Sequence, residues 1–85
     1  MNKTIHKYPL EIKDTQIINM PFGAIIRHVA FQDNALCLWA EVYPNNPPEP
    51  VTIVVIGTGH LIPRGAYIGT VHDPRGFVWH VIEQN

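Results

Sequence analysis

The apolar residues of this chain come in short runs, and the spacing of those runs restricts the fold more than any other feature. An amphipathic helix needs an apolar repeat of about 3.6 residues sustained over roughly 11 residues, and no stretch shows one. Instead, β-branched and aromatic segments alternate with proline, glycine and asparagine, which is the pattern of strands and turns. We therefore predict an all-β fold, a small antiparallel β-sandwich or partly open barrel of about seven strands, as one domain over residues 1–85.

The clearest predicted hairpin turns at Asp33-Asn34, because both residues tolerate the positive φ of a type I′ turn. Alternation divides the following strand between a core face and an outer face. The core face comprises Leu36, Leu38, Ala40 and Val42, and the outer face comprises Cys37, Trp39, Glu41 and Tyr43. Trp39 and Tyr43 are candidate protein-interface residues, since aromatic side chains exposed on a strand are typical anchors. Cys37, the only cysteine, is predicted to be a buried apolar residue.

Three later segments have distinct signatures. Residues 44–50 contain four of the eight prolines and are predicted to form an exposed, extended connection. The segment Val51–Ile56 is apolar on both faces, which indicates a strand buried on both sides, either centrally in a sandwich or between subunits. The last two predicted strands are joined by Asp73–Gly76, a sequence with type I turn chemistry.

The amino-acid composition restricts the kinds of partner that the chain can bind. Six Lys and Arg residues against seven Asp and Glu give a net charge of −1, and the cations are scattered, which disfavours duplex nucleic acid. No apolar run approaches the roughly 20 residues that span a bilayer, and a lone cysteine fits the reducing cytoplasm. Only 15% of residues are charged, so we expect a homo-oligomer, a dimer or higher, that covers part of the apolar surface.

The segment Gly57-Thr58-Gly59-His60 is the main candidate for a ligand-binding loop. It follows an apolar strand, where a phosphate-binding loop would lie, but it matches neither GxGxxG nor GK[ST]. The glycines either serve a bend or bulge, or they let backbone amides bind an anion.

Arg64 is predicted to line such a site together with this loop, and Arg75, with a neighbouring subunit as a further option, is predicted to complete it. Both arginines lie in glycine- and proline-containing turns that flank one predicted strand, and a hairpin-like return would bring Tyr67 and Trp79 close to them. Guanidinium groups beside aromatic rings suit a nucleotide-sized anion, whereas the alternative is that both arginines are solvated turn residues.

Neither a metal site nor a catalytic site is predicted. The five histidines form no HxH or HxxxH pair, and His28 and His80 alternate with apolar neighbours, as half-buried, hydrogen-bonded histidines do. The chain contains no serine, and neither Cys37 nor any threonine has a recognisable base beside it in sequence. We expect no cofactor and no enzymatic activity.

The segments "KTIHKYPLEI", "HVAFQDNALCLWAEV", "IGTGHLIP" and "YIGTVHDPRGFVWHVIE" resemble, in that order, a family of short proteins from tailed phages and prophages. The resemblance implies a phage accessory protein in the bacterial host cytoplasm, and it carries over no activity, cofactor or catalytic residue. By analogy with small phage β proteins that counter host defence, we expect sequestration of a small phosphorylated ligand such as a nucleotide immune signal. The alternatives are inhibition of a host defence protein through the aromatic strand face and, third, a small nucleotide-cleaving enzyme.

Overall fold

The computed structural model describes residues 2–85, and that part of the chain contains seven β-strands. They are β1 (Thr4–Pro9), β2 (Thr15–Pro21), β3 (Ile25–Gln32), β4 (Ala35–Val42), β5 (Pro48–Gly57), β6 (Gly65–His72) and β7 (Val78–Gln84). The strands form a three-stranded sheet in the order β1-β4-β3 and a four-stranded sheet in the order β2-β5-β7-β6, both antiparallel throughout. The prediction of a small all-β sandwich is confirmed.

The core lies between the two sheets. The core face predicted for β4 is buried there, together with residues that include Met20, Ile53, Val55 and Val81. At one corner β3 packs against β6, and a Cβ on Gly69 would lie 3.1 Å from Cγ1 of Val29. The absence of a side chain at Gly69 therefore lets these two edge strands approach closely.

The Asp33-Asn34 hairpin is confirmed, with φ of 51° at Asp33 and 68° at Asn34. A register shift between Ile26 and His28 puts His28 opposite Trp39 rather than opposite the buried Leu38. Because this β-bulge reverses the alternation, His28 lies exposed on the outer face of the three-stranded sheet. The prediction that His28 is half-buried is therefore wrong.

The proline-rich segment is only partly a connection, because β5 begins at Pro48 and includes Pro50. These residues pair with β2 on one side, whereas pairing with β7 starts only at Thr52. The missing N–H groups of the two prolines therefore point to the side that has no strand partner, where proline is tolerated. Farther along, β5 is buried on both faces and central in its sheet, as predicted.

Residues 58–64 cross the sheet from one end to the other. Both β5 and β6 pair antiparallel with β7, so they run parallel to each other and the connection must pass over β7. Parallel strands of one sheet are usually joined by a dozen or more residues, whereas this connection has seven, which can reach at most about 25 Å. A small apolar cluster, Val54, Ile56 and Ile82, is buried on the sheet face turned away from the core.

Candidate functional site

Four connections converge at one end of the sandwich, which we call the turn end. They are residues 10–14, 33–34, 58–60 and 73–77. The pairings Pro9 with Cys37, Gly57 with Trp79, and His72 with Val78 place the strand ends beside one another. Most of the candidate ligand residues are thereby brought together.

A groove of about 430 Å³ opens at the turn end beside the Gly57–His60 segment, and we call it the Trp79 groove. Its lining comprises Gly57, Thr58, His60, Gly76, Phe77, Val78 and Trp79. The Phe77 and Trp79 rings have centroids 5.8 Å apart and planes inclined by 38°. A Cβ on Gly57 would lie 3.7 Å from both His60 Cε1 and Trp79 Cζ3, so this glycine lies between the two rings. The groove therefore offers aromatic surface next to a hydroxyl and an imidazole.

A buried carboxylate fixes the orientation of Trp79 and Arg75. Asp73 accepts hydrogen bonds from the Arg75 backbone N–H at 2.8 Å, from Arg75 Nε at 3.1 Å and Nη2 at 2.7 Å, and from Trp79 Nε1 at 3.2 Å. The Arg75 hydrogen bonds, chiefly those of its side chain, hold the pKa of the Asp73 carboxyl well below its usual range. Because its N–H is already engaged, Trp79 presents only its ring to the groove.

A second cavity, of about 440 Å³, lies on the other side of the Asp73–Phe77 turn, and we call it the Phe31 cleft. It is lined by Leu10, Ile12, Phe31, Asn34, Ala35, Leu36, Asp73, Pro74 and Arg75. The sequence alone does not predict this cleft, because its walls come from three segments that are distant along the chain, residues 10–12, 31–36 and 73–75. One feature of the sequence does indicate part of it. Asn34 and Arg75 each lie in a predicted tight turn, and residues in such turns usually have exposed side chains.

Thr58 and His80 begin a hydrogen-bonded chain on the outer face of the four-stranded sheet. Thr58 Oγ1 lies 2.8 Å from His80 Nε2, and His80 Nδ1 lies 2.7 Å from the Tyr67 hydroxyl. The Tyr67 hydroxyl in turn contacts Thr70 Oγ1. His80 is half-buried and hydrogen-bonded, as predicted. The order hydroxyl, imidazole, orienting group is the one that activates a nucleophile in many hydrolases.

Arg64 does not join this site. It precedes β6, and its carbonyl accepts a hydrogen bond from the Asn85 N–H at the end opposite the turn end. Arg75 follows the far end of the same strand, which at about 3.3 Å per residue is roughly 23 Å long. The expectation that Arg64 and Arg75 share a site within one chain is therefore wrong. The physical reason is that residues 58–64 form a crossover, whereas the prediction assumed a hairpin-like return.

The structure places the two predicted interface aromatics on the outer face of the three-stranded sheet, both half-exposed. Trp39 lies beside His28, with ring centroids 5.8 Å apart, and the Lys3 ammonium lies 5.7 Å from the Tyr43 ring centroid. Glu41 between them pairs with Lys3 at 2.7 Å and with Arg27 at 3.1 Å, and these cations lower its pKa. This face therefore combines aromatic rings with charged side chains that are already engaged in ion pairs. Cys37 is buried, as predicted.

Within residues 2–85, no group of three or more His, Cys, Asp or Glu side chains is placed to hold a metal ion. No helix in this range is long and apolar enough to cross a membrane.

A family model described as a domain of unknown function, DUF7352, matches residues 1–85, so the chain belongs to that family. Neither the curated proteins nor the solved structures contain a match to the chain.

Proposed function

We propose that this member of the DUF7352 family is a binding protein that captures a small phosphorylated molecule carrying a planar ring. The observation that carries the proposal is the Trp79 groove, where Phe77 and Trp79 stand beside Thr58 and His60, with Arg75 next to them. Stacking on aromatic side chains is worth about 1–3 kcal/mol per base and tolerates any planar ring. The ring of the ligand would stack against Phe77 and Trp79.

Arg75 supplies the contact for phosphate. Asp73 occupies two of its five N–H donors, so three are left, and the ion pair holds the guanidinium in one orientation. A pre-oriented planar fork suits phosphate oxygens better than a mobile ammonium does. Thr58 and His60 add polar groups at the groove rim. The Thr58 hydroxyl lies 2.8 Å from His80 Nε2 and is free to donate to the ligand when that nitrogen carries the proton. With one arginine and one histidine, this site fits one or two phosphate groups rather than a polyanion.

The resemblance to phage and prophage proteins supports a biological setting for this capture. In that setting the protein is an anti-defence protein of the bacterial host cytoplasm, and its ligand is a nucleotide immune signal. Sequestration of a signal requires only tight binding and no turnover.

We also propose that the protein self-associates. Four large apolar side chains are exposed on the crossover and the adjoining sheet face: Ile17 by 64%, Leu61 by 95%, Ile62 by 61% and Tyr67 by 50%. Several exposed apolar side chains on one side of a small domain are typical of a subunit interface, and a symmetric dimer is the simplest arrangement.

Two other functions each have one supporting observation. The Thr58–His80–Tyr67 chain favours a small enzyme that cleaves a nucleotide, with Thr58 as nucleophile and His80 as base. The half-exposed pair Trp39 and Tyr43 favours an inhibitor that binds a host defence protein.

A capture experiment separates the three functions. The purified protein is incubated with a mixture of mono-, di- and cyclic nucleotides, freed of unbound material, and denatured, and the released molecules are identified by mass spectrometry. Intact ligand supports sequestration, altered ligand supports the enzyme, and no captured ligand contradicts nucleotide binding. The variant Phe77→Leu is expected to lose about 5- to 150-fold in affinity, which corresponds to the 1–3 kcal/mol of stacking.

Phe22→Leu is the matched control for this variant. Phe22 is 59% exposed and Phe77 is 54% exposed, but Phe22 follows β2 at the end opposite the turn end. Equal losses of affinity in both variants would contradict binding in the Trp79 groove.

A further inference from the structure

We infer that the ligand is bipartite, with two ring systems joined through phosphate, of which one occupies the Trp79 groove and the other the Phe31 cleft. This inference rests on the proposed function and adds a second compartment to it. The chemical class that results is a dinucleotide, linear or cyclic, rather than a mononucleotide.

One β-turn separates the two compartments. Gly76 lines the Trp79 groove, whereas Asp73, Pro74 and Arg75 line the Phe31 cleft. The turn is closed by a hydrogen bond of 2.8 Å from the Gly76 N–H to the Asp73 carbonyl, and a β-turn of this type is less than about 7 Å across. A ligand that fills both compartments therefore has to pass its linking group over this turn.

The group that meets the linker is Arg75. Its side chain is 67% exposed, and its guanidinium lies 5.6 Å from the Phe77 ring centroid, on the boundary between the two compartments. The ion pair with Asp73 fixes the orientation of the guanidinium. Pro74, the residue before Arg75, has its own φ fixed by its ring. A rigid cation at this boundary suits a phosphate that joins the two halves, because little side-chain freedom is lost on binding.

The Phe31 cleft has the composition of a ring-binding site. Leu10 and Leu36 are buried in its floor, Phe31 contributes a half-buried aromatic ring, and Asn34 stands in the type I′ turn. An amide can donate and accept hydrogen bonds at once, as the edge of a nucleobase requires. Its volume of about 440 Å³ nearly equals the 430 Å³ of the Trp79 groove, so each compartment has room for a similar half of the ligand.

The test compares ligands of one and two halves. Binding of AMP and GMP, and of the linear and cyclic dinucleotides of adenosine and guanosine, is measured by isothermal titration calorimetry with the unmodified protein. We expect at least one dinucleotide to bind at least tenfold more tightly than either mononucleotide.

Two variants locate the second half of the ligand. Ile12→Glu places a carboxylate at the lip of the Phe31 cleft and is expected to abolish the dinucleotide advantage while leaving mononucleotide affinity unchanged. Asn34→Gly removes the amide but keeps a residue that favours positive φ, so it preserves the turn and is expected to weaken dinucleotide binding three- to tenfold. Ile25→Glu, at a 47% exposed position at the start of β3, is the control for the added charge.

The outcomes distinguish this inference from the function on which it rests. Mononucleotide binding that depends on Phe77, with no dinucleotide advantage or with an advantage that survives Ile12→Glu, overturns the inference and leaves the proposed function standing. Failure of every nucleotide to bind overturns the proposed function and the inference with it.

Discussion

Replacement of Gly65 by alanine tests the crossover that separates Arg64 from the turn end. Gly65 is the first residue of β6 and has a φ of +149°, a conformation that side chains rarely adopt. A Cβ at this position would overlap the backbone oxygen of Glu83 and lie 2.9 Å from Cα of Gln84. The start of β6 therefore has to move away from β7 in the variant.

The expected cost has two parts. The unfavourable backbone conformation contributes about 1–3 kcal/mol, and the loss of a ladder hydrogen bond adds about 1 kcal/mol. The sum, about 2–4 kcal/mol, is a large share of the roughly 4–13 kcal/mol expected for a domain of this length. The melting temperature should fall by about 8–30 °C, at about 4–8 °C per kcal/mol.

Gly76→Ala is the matched control. Gly76 also has a positive φ, +98°, but apart from its two chain neighbours no residue has an atom within 4 Å of its Cβ position. Its replacement by alanine therefore costs only the unfavourable backbone conformation, about 1–2 kcal/mol. Urea denaturation followed by tryptophan fluorescence measures both variants. A Gly65→Ala variant that is no less stable than Gly76→Ala would refute the close approach of β6 to the end of β7.

Three further predictions concern the turn, the buried carboxylate and self-association. Asn34→Val should lower the free energy of unfolding by about 1–2 kcal/mol, because a β-branched residue replaces one at a φ of 68°; an unchanged urea midpoint would contradict this. The pKa of Asp73 is lowered in the folded protein, so its contribution to the free energy of unfolding is complete above the ordinary pKa of 3.8 and is lost as the pH falls below that value. Asp73→Asn should therefore reduce the loss of stability at acidic pH, and an equal loss in both proteins would count against the ion pair. Light scattering should give a mass of at least twice 9.6 kDa for the unmodified protein and a smaller mass for Leu61→Lys, whereas a monomer throughout would rule out the proposed interface.

The strands could be predicted because their signals are local. The alternation in β4 and the turn residues Asp33 and Asn34 depend on a few neighbouring positions, and both predictions hold in the structure. The turn Asp73–Gly76 could also be predicted from the sequence, because proline fixes φ at the second turn position and glycine tolerates positive φ at the fourth.

The missed features depend on the pairing of distant segments. Whether Gly57 and Gly65 bracket a hairpin or a crossover depends on β7, which comes later in the chain and lies between β5 and β6. The bulge that exposes His28 adds one residue to β3 without any glycine or proline to mark it. Pro48 and Pro50 enter a strand only because β7 ends before it reaches them.

The most direct test of ligand capture in the Trp79 groove uses the fluorescence of Trp79 itself. In a Trp39→Phe variant, Trp79 is the only tryptophan, and titration with a nucleotide that the protein captures reports contact at its ring. We predict saturable quenching with the same midpoint as binding measured by equilibrium dialysis, shifted at least fivefold to higher concentration by Phe77→Leu and not by Phe22→Leu. Binding in dialysis that leaves the Trp79 emission unchanged would contradict the account.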